Sequence, residues 1–232
     1  MMKKIAIIPA RGGSKRLPRK NVRRILGEPM LTYPIKVALE SNLFKEVIVS
    51  TEDDEISAAA ISVGAKVVKR PAHLGHDRAT VVEVCLDVLK KLEEEQPFPE
   101  YFCCIYATAL FLNVKDLKDS FNLIHEKPVA DFVMGVSEFN LHPLRSLEKS
   151  GYYLRPKWPE YIAKQSQFQP HLVASNGTLY WARTKIFKET MSFYGEKLKG
   201  YEIPKTRAID LDTPDDLKLA EALASEYLLG NV

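Results

Sequence analysis

Seven cationic side chains fall within fourteen residues near the start of the 232-residue chain. They are Arg11, Lys15, Arg16, Arg19, Lys20, Arg23 and Arg24. An arginine can hold a phosphate through two parallel hydrogen bonds, and a lysine acts on it as a point charge. Gly12 and Gly13 can take positive φ and lack a Cβ, so backbone N–H groups there can approach a bound oxyanion closely. The stretch therefore predicts a cradle for several phosphates at once, as in a triphosphate.

The alternative interpretation of this stretch is a solvated basic surface or a nucleic-acid contact, which charge alone would favour. The flanking residues favour a phosphate site instead. Residues 5–8 form a short apolar run typical of a strand buried on both faces, and Pro9 removes the backbone donor that would continue it. A loop that follows a buried strand and contains Ser14, Pro18 and Asn21 is less free to move than a polybasic tail. Neither the P-loop nor the dinucleotide-binding fingerprint applies to it.

Asp210 and Asp212 form a second candidate site, in the segment 207–217. The alternation of residues there predicts a strand that points both carboxylates to the same side. Two carboxylates on one face repel each other unless a cation lies between them, and a triphosphate brings magnesium with it. The alternative is helix capping, because Thr213 precedes a proline at the start of the last predicted helix, 215–229. Both can hold, since Thr213 can cap the helix while the two aspartates bind a metal ion.

These residues need elements that bring them together, and the chain alternates predicted strands and helices at short spacing. The predicted strands span 5–8, 46–51, 66–69, 101–107 and 131–139, and the predicted helices span 31–42, 53–63, 80–95, 114–126 and 215–229. Such alternation implies an α/β fold with a parallel sheet and right-handed crossovers. Ligands of such sheets bind at the carboxyl ends of the strands, where the loop 9–24, residues 51–54 and the segment from Arg70 would meet.

The composition describes an ordinary soluble protein, with a net charge of +3, 27% charged residues and 46% apolar residues. Most of the positive excess lies in the loop 9–24, which fits an acidic small molecule better than a long polyanion. The three cysteines show no metal spacing or disulfide framework, and Cys103 and Cys104 lie in an apolar run as small hydrophobic residues. The first apolar run is too short for a signal peptide, and no run of about eighteen apolar residues occurs. We therefore expect a cytoplasmic protein with no membrane or nucleic-acid partner.

Residues 8–21, Ile-Pro-Ala-Arg-Gly-Gly-Ser-Lys-Arg-Leu-Pro-Arg-Lys-Asn, resemble the nucleotide-binding signature of the acylneuraminate cytidylyltransferases, which make CMP-activated nonulosonic acids. Further matches follow in family order as far as Leu217. The resemblance implies a Rossmann-like three-layer sandwich of the nucleotide-diphospho-sugar transferase type, with a mostly parallel sheet. It also implies transfer of CMP from CTP to the anomeric hydroxyl of an acidic nine-carbon sugar, with release of pyrophosphate and with Mg²⁺ (or Mn²⁺) as cofactor.

The resemblance also assigns the site residues. The catalytic residues it implies are Arg11, Lys20, Asp210 and Asp212, and the two aspartates are also the implied metal ligands. The residues it places at CTP are Ala10, Gly12, Gly13, Ser14, Asn21, Arg70, Thr80, Tyr106 and Thr108. Those it places at the acceptor sugar are Asn176, Gly177, Tyr180 and Gln165. Thr80 can also cap the helix that follows it, because Glu83 three residues later completes a capping box, and both roles can hold together.

Residues 105–110 bear on the acceptor. They read Ile-Tyr-Ala-Thr-Ala-Leu where sialic acid synthetases carry Leu-Gln-Pro-Thr-Ser-Pro, so Tyr106 stands where a glutamine contacts the base. The segment resembles the pseudaminic acid cytidylyltransferase branch, apart from Leu110. Pseudaminic acid is therefore the favoured acceptor, and sialic or legionaminic acid is possible. The alternatives are the same chemistry on 3-deoxy-octulosonate and a non-catalytic nucleotide-sugar-binding protein, against which the presence of both Asp210 and Asp212 argues.

The segment 140–175 departs from the strand and helix pattern within the single predicted domain 1–232. It contains four prolines and five aromatic residues and is too long for a plain loop. The family places a dimerisation arm here that lends residues to the partner's sugar site, which implies a homodimer. The alternative is a flap packed on its own chain. An arginine that the family uses at the sugar carboxylate is replaced here by Lys164 or Gln165.

Overall fold

The computed structural model of the chain describes residues 3–95 and 98–229. Its strands are β1 (Lys4–Pro9), β2 (Arg24–Ile25), β3 (Glu28–Pro29), β4 (Glu46–Thr51), β5 (Lys66–Lys69), β6 (Tyr101–Ile105), β7 (Phe132–Glu138), β8 (Leu147–Ser150), β9 (Tyr153–Pro156), β10 (Val173–Arg183) and β11 (Leu198–Glu202). Its α-helices are α1 (Thr32–Glu40), α2 (Asp54–Ser62), α3 (Val81–Glu95), α4 (Val114–His125), α5 (Pro159–Ile162), α6 (Thr184–Thr190) and α7 (Pro214–Ala224). A π-helical turn, Ser225–Leu229, continues α7.

Seven strands form one sheet in the order β11-β7-β10-β6-β1-β4-β5. All neighbours in it are parallel except β10, which runs antiparallel to both β6 and β7. The predicted mostly parallel sheet is therefore confirmed. After β1 the chain builds β4 and β5 on one side and then places β6 on the other side. The loops that follow β1 and β6 consequently diverge, which opens a crevice at the carboxyl ends of these strands.

Helices cover both faces of the sheet, because successive side chains of β1 point in opposite directions. Ala6 and Ile8 belong to a buried cluster that includes residues of α1, α2 and α4. Ile5 and Ile7 belong to a second cluster with residues of α3 and α6. The predicted three-layer sandwich is confirmed. Cys103 and Cys104 are fully buried as small core residues, one in each cluster.

Capping residues set the starts of the helices that lead away from the crevice. The side chain of Asp53 accepts the Ile56 N–H at 3.0 Å and begins α2. Thr80 and Glu83 form the predicted capping box before α3, in which the Glu83 N–H donates to Thr80 Oγ1 at 3.2 Å and the Thr80 N–H donates to Glu83 Oε2 at 2.7 Å. These local signals place the strand-to-helix turns, and with them the loops of the crevice.

Two strands of the main sheet, β10 and β11, and the helix α6 between them were not predicted, and neither were the short elements β2, β3, β8, β9 and α5. β10 changes register between Ser175 and Tyr180, and Gly177 lies between them with a φ of +64°. A bulge of this kind breaks the alternation by which a strand is recognised in a sequence. β10 also begins at Val173, so the last residues of the predicted arm 140–175 belong to the sheet.

The strand predicted for 207–212 is wrong, since these residues lie in neither a strand nor a helix. Leu211 is fully buried in a small third cluster beside Leu110 and Phe111. The Asp212 N–H donates to the Asp216 carboxylate of α7 at 3.1 Å. The segment is therefore held by a buried side chain and a helix cap, and not by the hydrogen-bond ladder of a strand.

Residues 140–172 form an excursion on the outside of the sheet. β8 and β9 pair as an antiparallel hairpin whose residues are all exposed. Of the five aromatic side chains, Tyr152, Tyr153 and Phe168 are exposed, while Trp158 and Tyr161 are half-buried. In the part of the chain that the structure describes, no helix is both long enough and apolar enough to cross a bilayer.

Candidate active site

A cleft of ≈560 Å³ opens at the carboxyl ends of β1 and β6. This volume lies in the range of about 300–1,000 Å³ that small-molecule sites occupy. Eight of the residues predicted to bind or act on the nucleotide line it, namely Arg11, Ser14, Lys20, Asn21, Arg70, Tyr106, Thr108 and Asp212. The remaining lining includes Asp77 and Ala79 from the turn before α3, and Val81 and Val84 from α3 itself. The topology of the sheet thus brings together residues that are up to two hundred positions apart.

Four of the seven loop cations line the cleft, and these are Arg11, Lys15, Arg16 and Lys20. The other three are held elsewhere. Arg19, with a left-handed φ of 58°, binds the carboxylates of Asp53 and Glu55, and the Asp53 contact is the main cause that lowers the pKa of Asp53. Arg23 donates to the Pro18 carbonyl at 3.0 Å, and Arg24 donates to the Gly27 carbonyl. The cleft therefore uses four of the seven cations from which a phosphate cradle was predicted.

Each cation of the cleft faces a carboxylate. Asp77 pairs with Arg11 and, at 2.5 Å, with Lys15. Hydrogen bonds from these two side chains, Lys15 first, lower the pKa of Asp77, so its charge persists well below neutral pH. Asp212 pairs with Arg16 at 2.5 Å and with Lys20 at 3.1 Å. The cleft is thus a ring of cations balanced by two aspartates, and an incoming polyphosphate would compete with them for the same donors.

Replacing Asp77 by asparagine is expected to strengthen the binding of CTP. The change keeps the side-chain shape but removes the charge that competes with phosphate for Arg11 and Lys15. We expect the dissociation constant of CTP without divalent cation to fall by about threefold to tenfold, since exposed ion pairs are weak. Calorimetric titration measures it, with Asp119→Asn, which removes an exposed ion pair of α4 with Lys115, as the matched control. Weaker binding in Asp77→Asn would show instead that Asp77 organises the loop.

Gly12 lies close to the carboxylates that follow β4, a contact that the sequence did not indicate. Neither Gly12 nor Gly13 has a positive φ. A Cβ on Gly12 would lie 2.4 Å from Asp53 Oδ2, whereas one on Gly13 would meet nothing within 4 Å. The Gly12 N–H donates to Glu52 Oε1 at 2.8 Å, and the Ser14 N–H donates to the Gly12 carbonyl at 3.1 Å. The missing Cβ therefore allows the loop to pack against the carboxylates that follow β4.

Two predicted nucleotide ligands shape the loop from within. Ala10 is fully buried, and its N–H donates to the Ser50 carbonyl of β4 at 3.0 Å. Asn21 is 7% exposed, and its side-chain amide donates to the Arg11 carbonyl at 2.9 Å. This contact ties the end of the loop to its beginning. Asn21 also lines the cleft, so it joins loop geometry to the binding surface.

Arg70 lies almost entirely buried in the cleft wall, with 5% of its surface exposed. Its guanidinium donates to the Ser50 carbonyl at 2.7 Å, and its Nε lies 3.9 Å from Glu52 Oε2. That carboxylate oxygen is buried and has no hydrogen-bond partner among the described residues. Burial lowers the pKa of Arg70, which nonetheless stays charged because an arginine starts so high. Thr80, by contrast, does not line the cleft; its hydroxyl donates to Glu83 at 2.8 Å within the helix cap.

Tyr106 links the nucleotide side of the cleft to β10. Its N–H donates to the Thr178 carbonyl at 2.9 Å, and its ring meets that of Tyr180 edge-on at 5.5 Å. The Tyr180 hydroxyl lies 2.5 Å from Ser175 Oγ. Burial raises the pKa of both tyrosines, so neither hydroxyl ionises near neutral pH. They can supply hydrogen bonds to a ligand but cannot serve as its general base.

Three of the predicted acceptor-sugar residues, Asn176, Gly177 and Tyr180, lie on β10. Asn176 holds the bulge, because its Nδ2 donates to Ser137 Oγ at 3.0 Å and its Oδ1 accepts the Thr178 hydroxyl at 2.6 Å. The fourth, Gln165, is exposed in the segment 140–172. None of the four is among the residues that line the cleft. The bulged strand is the part of this set that the fold places beside Tyr106.

Asp210 and Asp212 act on each other electrostatically. Partial desolvation raises the pKa of Asp210, and the Asp212 charge raises it further, while Lys20 and Arg16 oppose the shift. Among residues 3–95 and 98–229, no group of three or more His, Cys, Asp or Glu side chains could hold a metal ion. Mg²⁺ at nucleotide sites usually takes only one or two carboxylates and completes its shell with substrate phosphates and water. Asp212 lines the cleft, whereas Asp210 is exposed and does not line it. The carboxylate chemistry of the two side chains fits such an ion.

A parallel α/β sheet with a basic loop after its first strand and an acidic pair opposite defines the chain as a nucleotidyltransferase in class. The chain belongs to the cytidylyltransferase family, whose model matches residues 5–228. It is 31% identical over 226 residues to the pseudaminic acid cytidylyltransferase of Campylobacter jejuni, which covers 96% of both chains. It is equally similar, 31% over 226 residues and 96% of both chains, to the CMP-N,N'-diacetyllegionaminic acid synthase of Legionella pneumophila.

The fold is similar to that of a solved structure. A CMP:2-keto-3-deoxy-manno-octonic acid synthetase complexed with CTP superimposes with a TM-score of 0.71, at 17% identity, over 97% of this chain and 99% of its own. At that identity the likeness concerns the fold. The predicted fold class and the predicted cytidylyltransferase activity are both confirmed.

Proposed function

We propose that this cytidylyltransferase moves CMP from CTP to the anomeric hydroxyl of a nonulosonic acid, releases pyrophosphate and favours pseudaminic acid as acceptor. The observation that carries the proposal is the cleft itself. Four cations from one loop line a single cavity with Asp77, Asp212, Arg70 and Tyr106. The relatives named above act, by their names, on pseudaminic and legionaminic acids.

The chemistry asked of the protein is positioning and charge neutralisation. The sugar hydroxyl attacks the α-phosphorus of CTP in line, and pyrophosphate leaves, so no covalent intermediate with the protein is needed. Arg11 and Lys20 hold phosphate oxygens, and the glycine loop from Gly12 to Ser14 supplies backbone donors once the carboxylates that now occupy these groups are displaced. Because the donors are already clustered by the fold, little reorganisation accompanies the reaction.

Asp210 and Asp212 would hold Mg²⁺ (or Mn²⁺). Bound there, a divalent cation neutralises charge on the phosphates and relieves the repulsion between the two carboxylates. Lys20 and Arg16, which now pair with Asp212, are then free to meet phosphate oxygens. When nucleotide binds, Asp212 would thus exchange Arg16 and Lys20 for the metal ion, and these two cations would exchange Asp212 for phosphate oxygens.

Arg70, Asn21, Tyr106 and Thr108 line the base side of the cleft and are the proposed cytidine contacts. Thr80 would contribute only through the helix start that it caps. At the acceptor, Tyr106 stands against β10, so a tyrosine ring occupies space next to the proposed sugar site. This is the feature of the cleft on which the preference for pseudaminic acid rests, together with the similarity to a relative of that name.

The test is a pyrophosphate-release assay that crosses the four nucleoside triphosphates with pseudaminic, legionaminic, sialic and octulosonic acids. We expect release with CTP only, and fastest with pseudaminic acid. Fastest release with octulosonic acid would establish the same chemistry on the eight-carbon sugar. Tight CTP binding with no release for any sugar would favour a non-catalytic nucleotide-sugar-binding protein. Steeply salt-dependent oligonucleotide binding in place of CTP binding would favour the nucleic-acid alternative.

We further propose that two copies of the chain pair through the segment 140–172. Its exposed apolar side chains include Leu141 at 86%, Tyr153 at 77% and Phe168 at 71% exposure. Large apolar side chains that are this exposed within one segment are typical of an interface, and a twofold pairing would cover each segment with its mate. Gln165, which lies outside its own cleft, would then reach the sugar site of the partner chain.

Removing the hairpin is expected to separate dimer formation from nucleotide binding. The Lys157 N–H donates to the Ser146 carbonyl at 2.9 Å, so the ends of the hairpin are adjacent and a two-glycine link can replace residues 147–156. We expect a monomer with a CTP dissociation constant within about twofold of wild type and sugar turnover lowered by about a hundredfold or more. Analytical ultracentrifugation and calorimetry measure both. Sedimentation of the full chain as a fully active monomer at micromolar concentration would contradict the pairing.

A further inference from the structure

Asp116 and Arg207 form a buried ion pair that does not line the cleft. Arg207 Nη1 lies 2.6 Å from Asp116 Oδ2, and Arg207 Nη2 lies 3.0 Å from Asp116 Oδ1. The Asp116 side chain is 2% exposed and that of Arg207 is 17% exposed. Two parallel hydrogen bonds between planar groups fix the direction of the arginine as well as its distance. The pair is therefore a rigid link between the start of α4 and the segment after β11.

The Asp116 carboxylate has a complete set of donors. Besides Arg207 it accepts the Tyr201 hydroxyl of β11 at 3.1 Å and the Asn113 N–H at the cap of α4 at 3.0 Å. Arg207 Nη1, which bonds Asp116 Oδ2, also donates to the Phe111 carbonyl at 3.2 Å. A charge this deeply buried is tolerated only with such compensation. The geometry of the pair is thus determined by three separate parts of the fold.

Arg207 stands three residues before Asp210 at the start of a segment without regular structure. No strand ladder holds this segment, so side chains must. Leu211 is fully buried between the two aspartates, and the Asp216 carboxylate holds the Asp212 N–H at the far end. Arg207 is the corresponding anchor at the near end. Asp210 and Asp212 therefore lie in a segment that is held at one end by the Asp116–Arg207 pair and at the other end by the cap of α7.

We propose that Asp116 and Arg207 are positioning residues for the reaction, which hold Asp210 and Asp212 in the arrangement in which the two carboxylates would bind a divalent cation. This inference rests on the proposed function of the acidic pair. Partners outside the ligand shell commonly change metal affinity or activity by about 10–100-fold when they are altered, because a small displacement of the ligands is enough.

The decisive variant is Arg207→Lys, which keeps the charge beside Asp116 but loses the two-pronged geometry. We expect turnover to fall by about 10–100-fold and the Mg²⁺ concentration for half-maximal turnover to rise several-fold, while the dissociation constant of CTP without metal stays within about twofold. The matched control is Arg183→Lys. Arg183 is 28% exposed at the opposite end of β10, where it donates to the Ala130 carbonyl and the Tyr101 hydroxyl.

Two readouts do not depend on turnover. The first is the ratio of CTP dissociation constants without and with Mn²⁺, measured by calorimetry. We expect this ratio to shrink several-fold in Arg207→Lys and to stay unchanged in Arg183→Lys. The double variant Arg207→Lys/Asp212→Asn should have the same ratio as Asp212→Asn alone, because both changes act on the same metal site. The second is amide hydrogen exchange across 208–212, which should speed up in Arg207→Lys but not in the control.

Tyr201→Phe serves if Arg207→Lys does not fold, since it removes one donor to Asp116, and a smaller change in the same direction is expected. An unchanged metal linkage in these variants, an equal effect of Arg183→Lys, or a full additional loss in the Asp212→Asn background would each overturn the positioning role. A wild-type protein whose CTP affinity ignores Mn²⁺ would overturn it together with the metal assignment. Metal-linked CTP binding without turnover of any sugar would overturn only the proposed acceptor chemistry.

Discussion

Asparagine in place of Asp212 is expected to lower turnover by about a thousandfold while CTP binding stays measurable. The change keeps the side-chain shape and removes one charge of the acidic pair. Without that charge the proposed metal ion loses a ligand at the point where phosphate charge must be neutralised. Arg16 and Lys20 lose their carboxylate partner at the same time, so they remain available to the triphosphate. Binding and turnover should therefore separate in this variant.

The measurement is steady-state pyrophosphate release across a Mg²⁺ titration, with calorimetric CTP binding in parallel. Asp215→Asn is the matched control, because this nearby carboxylate is 88% exposed and pairs only with Lys218 in the same helix. It should leave both quantities near wild type. Normal turnover and normal Mg²⁺ dependence in Asp212→Asn would remove the acidic pair from the mechanism, whatever the acceptor sugar.

Alanine in place of Arg11 or Lys20 is expected to lower kcat/KM by about a hundredfold to a thousandfold in each case. Both side chains line the cleft and reach carboxylates that occupy the position proposed for phosphates. The loss should be catalytic much more than structural. Ion pairs open to solvent contribute little to folding, so the melting temperature should stay within a few degrees of wild type.

Arg23→Ala provides the control from the same loop. Arg23 belongs to the same basic run, but its guanidinium donates to the Pro18 carbonyl and does not line the cleft. Arg23→Ala removes one positive charge from the loop, as Arg11→Ala and Lys20→Ala do, but it removes no proposed contact with the nucleotide. Thermal unfolding and initial rates at varied CTP measure both effects. Equal losses for Arg23→Ala would mean that the loop acts through its net charge, and unchanged turnover in Arg11→Ala or Lys20→Ala would exclude that side chain from the cradle.

Much of the sheet could be predicted because its signals are local. Residues 5–8 and 46–51 are apolar runs that only a doubly covered strand explains, and both are strands in the structure. Asp53 and the Thr80–Glu83 pair predicted the starts of α2 and α3, because a helix cap joins residues that are three positions apart. β10 was not predicted because its bulge interrupts the alternation of inward and outward side chains. Its pairing partners, β6 and β7, are also distant in the chain.

The residue types of the candidate site were equally visible in the sequence, because phosphate chemistry needs clustered cations and glycine, and a metal ion needs carboxylates. The family resemblance at residues 8–21 and the acidic pair were enough to indicate a cytidylyltransferase, as the family match confirms. The sequence did not show which of these cations line the cleft. Arg19 and Lys20 are neighbours in the chain, yet one binds Asp53 at the start of α2 and the other binds Asp212.

The sequence by itself determined the order of strands and helices as far as β7, the position of the basic loop and the class of chemistry, since these follow from short-range patterns of polarity and capping. Only the tertiary structure decided that Asp77 and Asp212 balance the cleft cations, that Asp53 requires Gly12 to lack a Cβ, and that a buried Asp116–Arg207 pair anchors the acidic segment. The physical reason is the separation in sequence. These contacts join residues from 41 to 196 positions apart, and no local propensity specifies which distant carboxylate a given cation or glycine will meet once the sheet has formed.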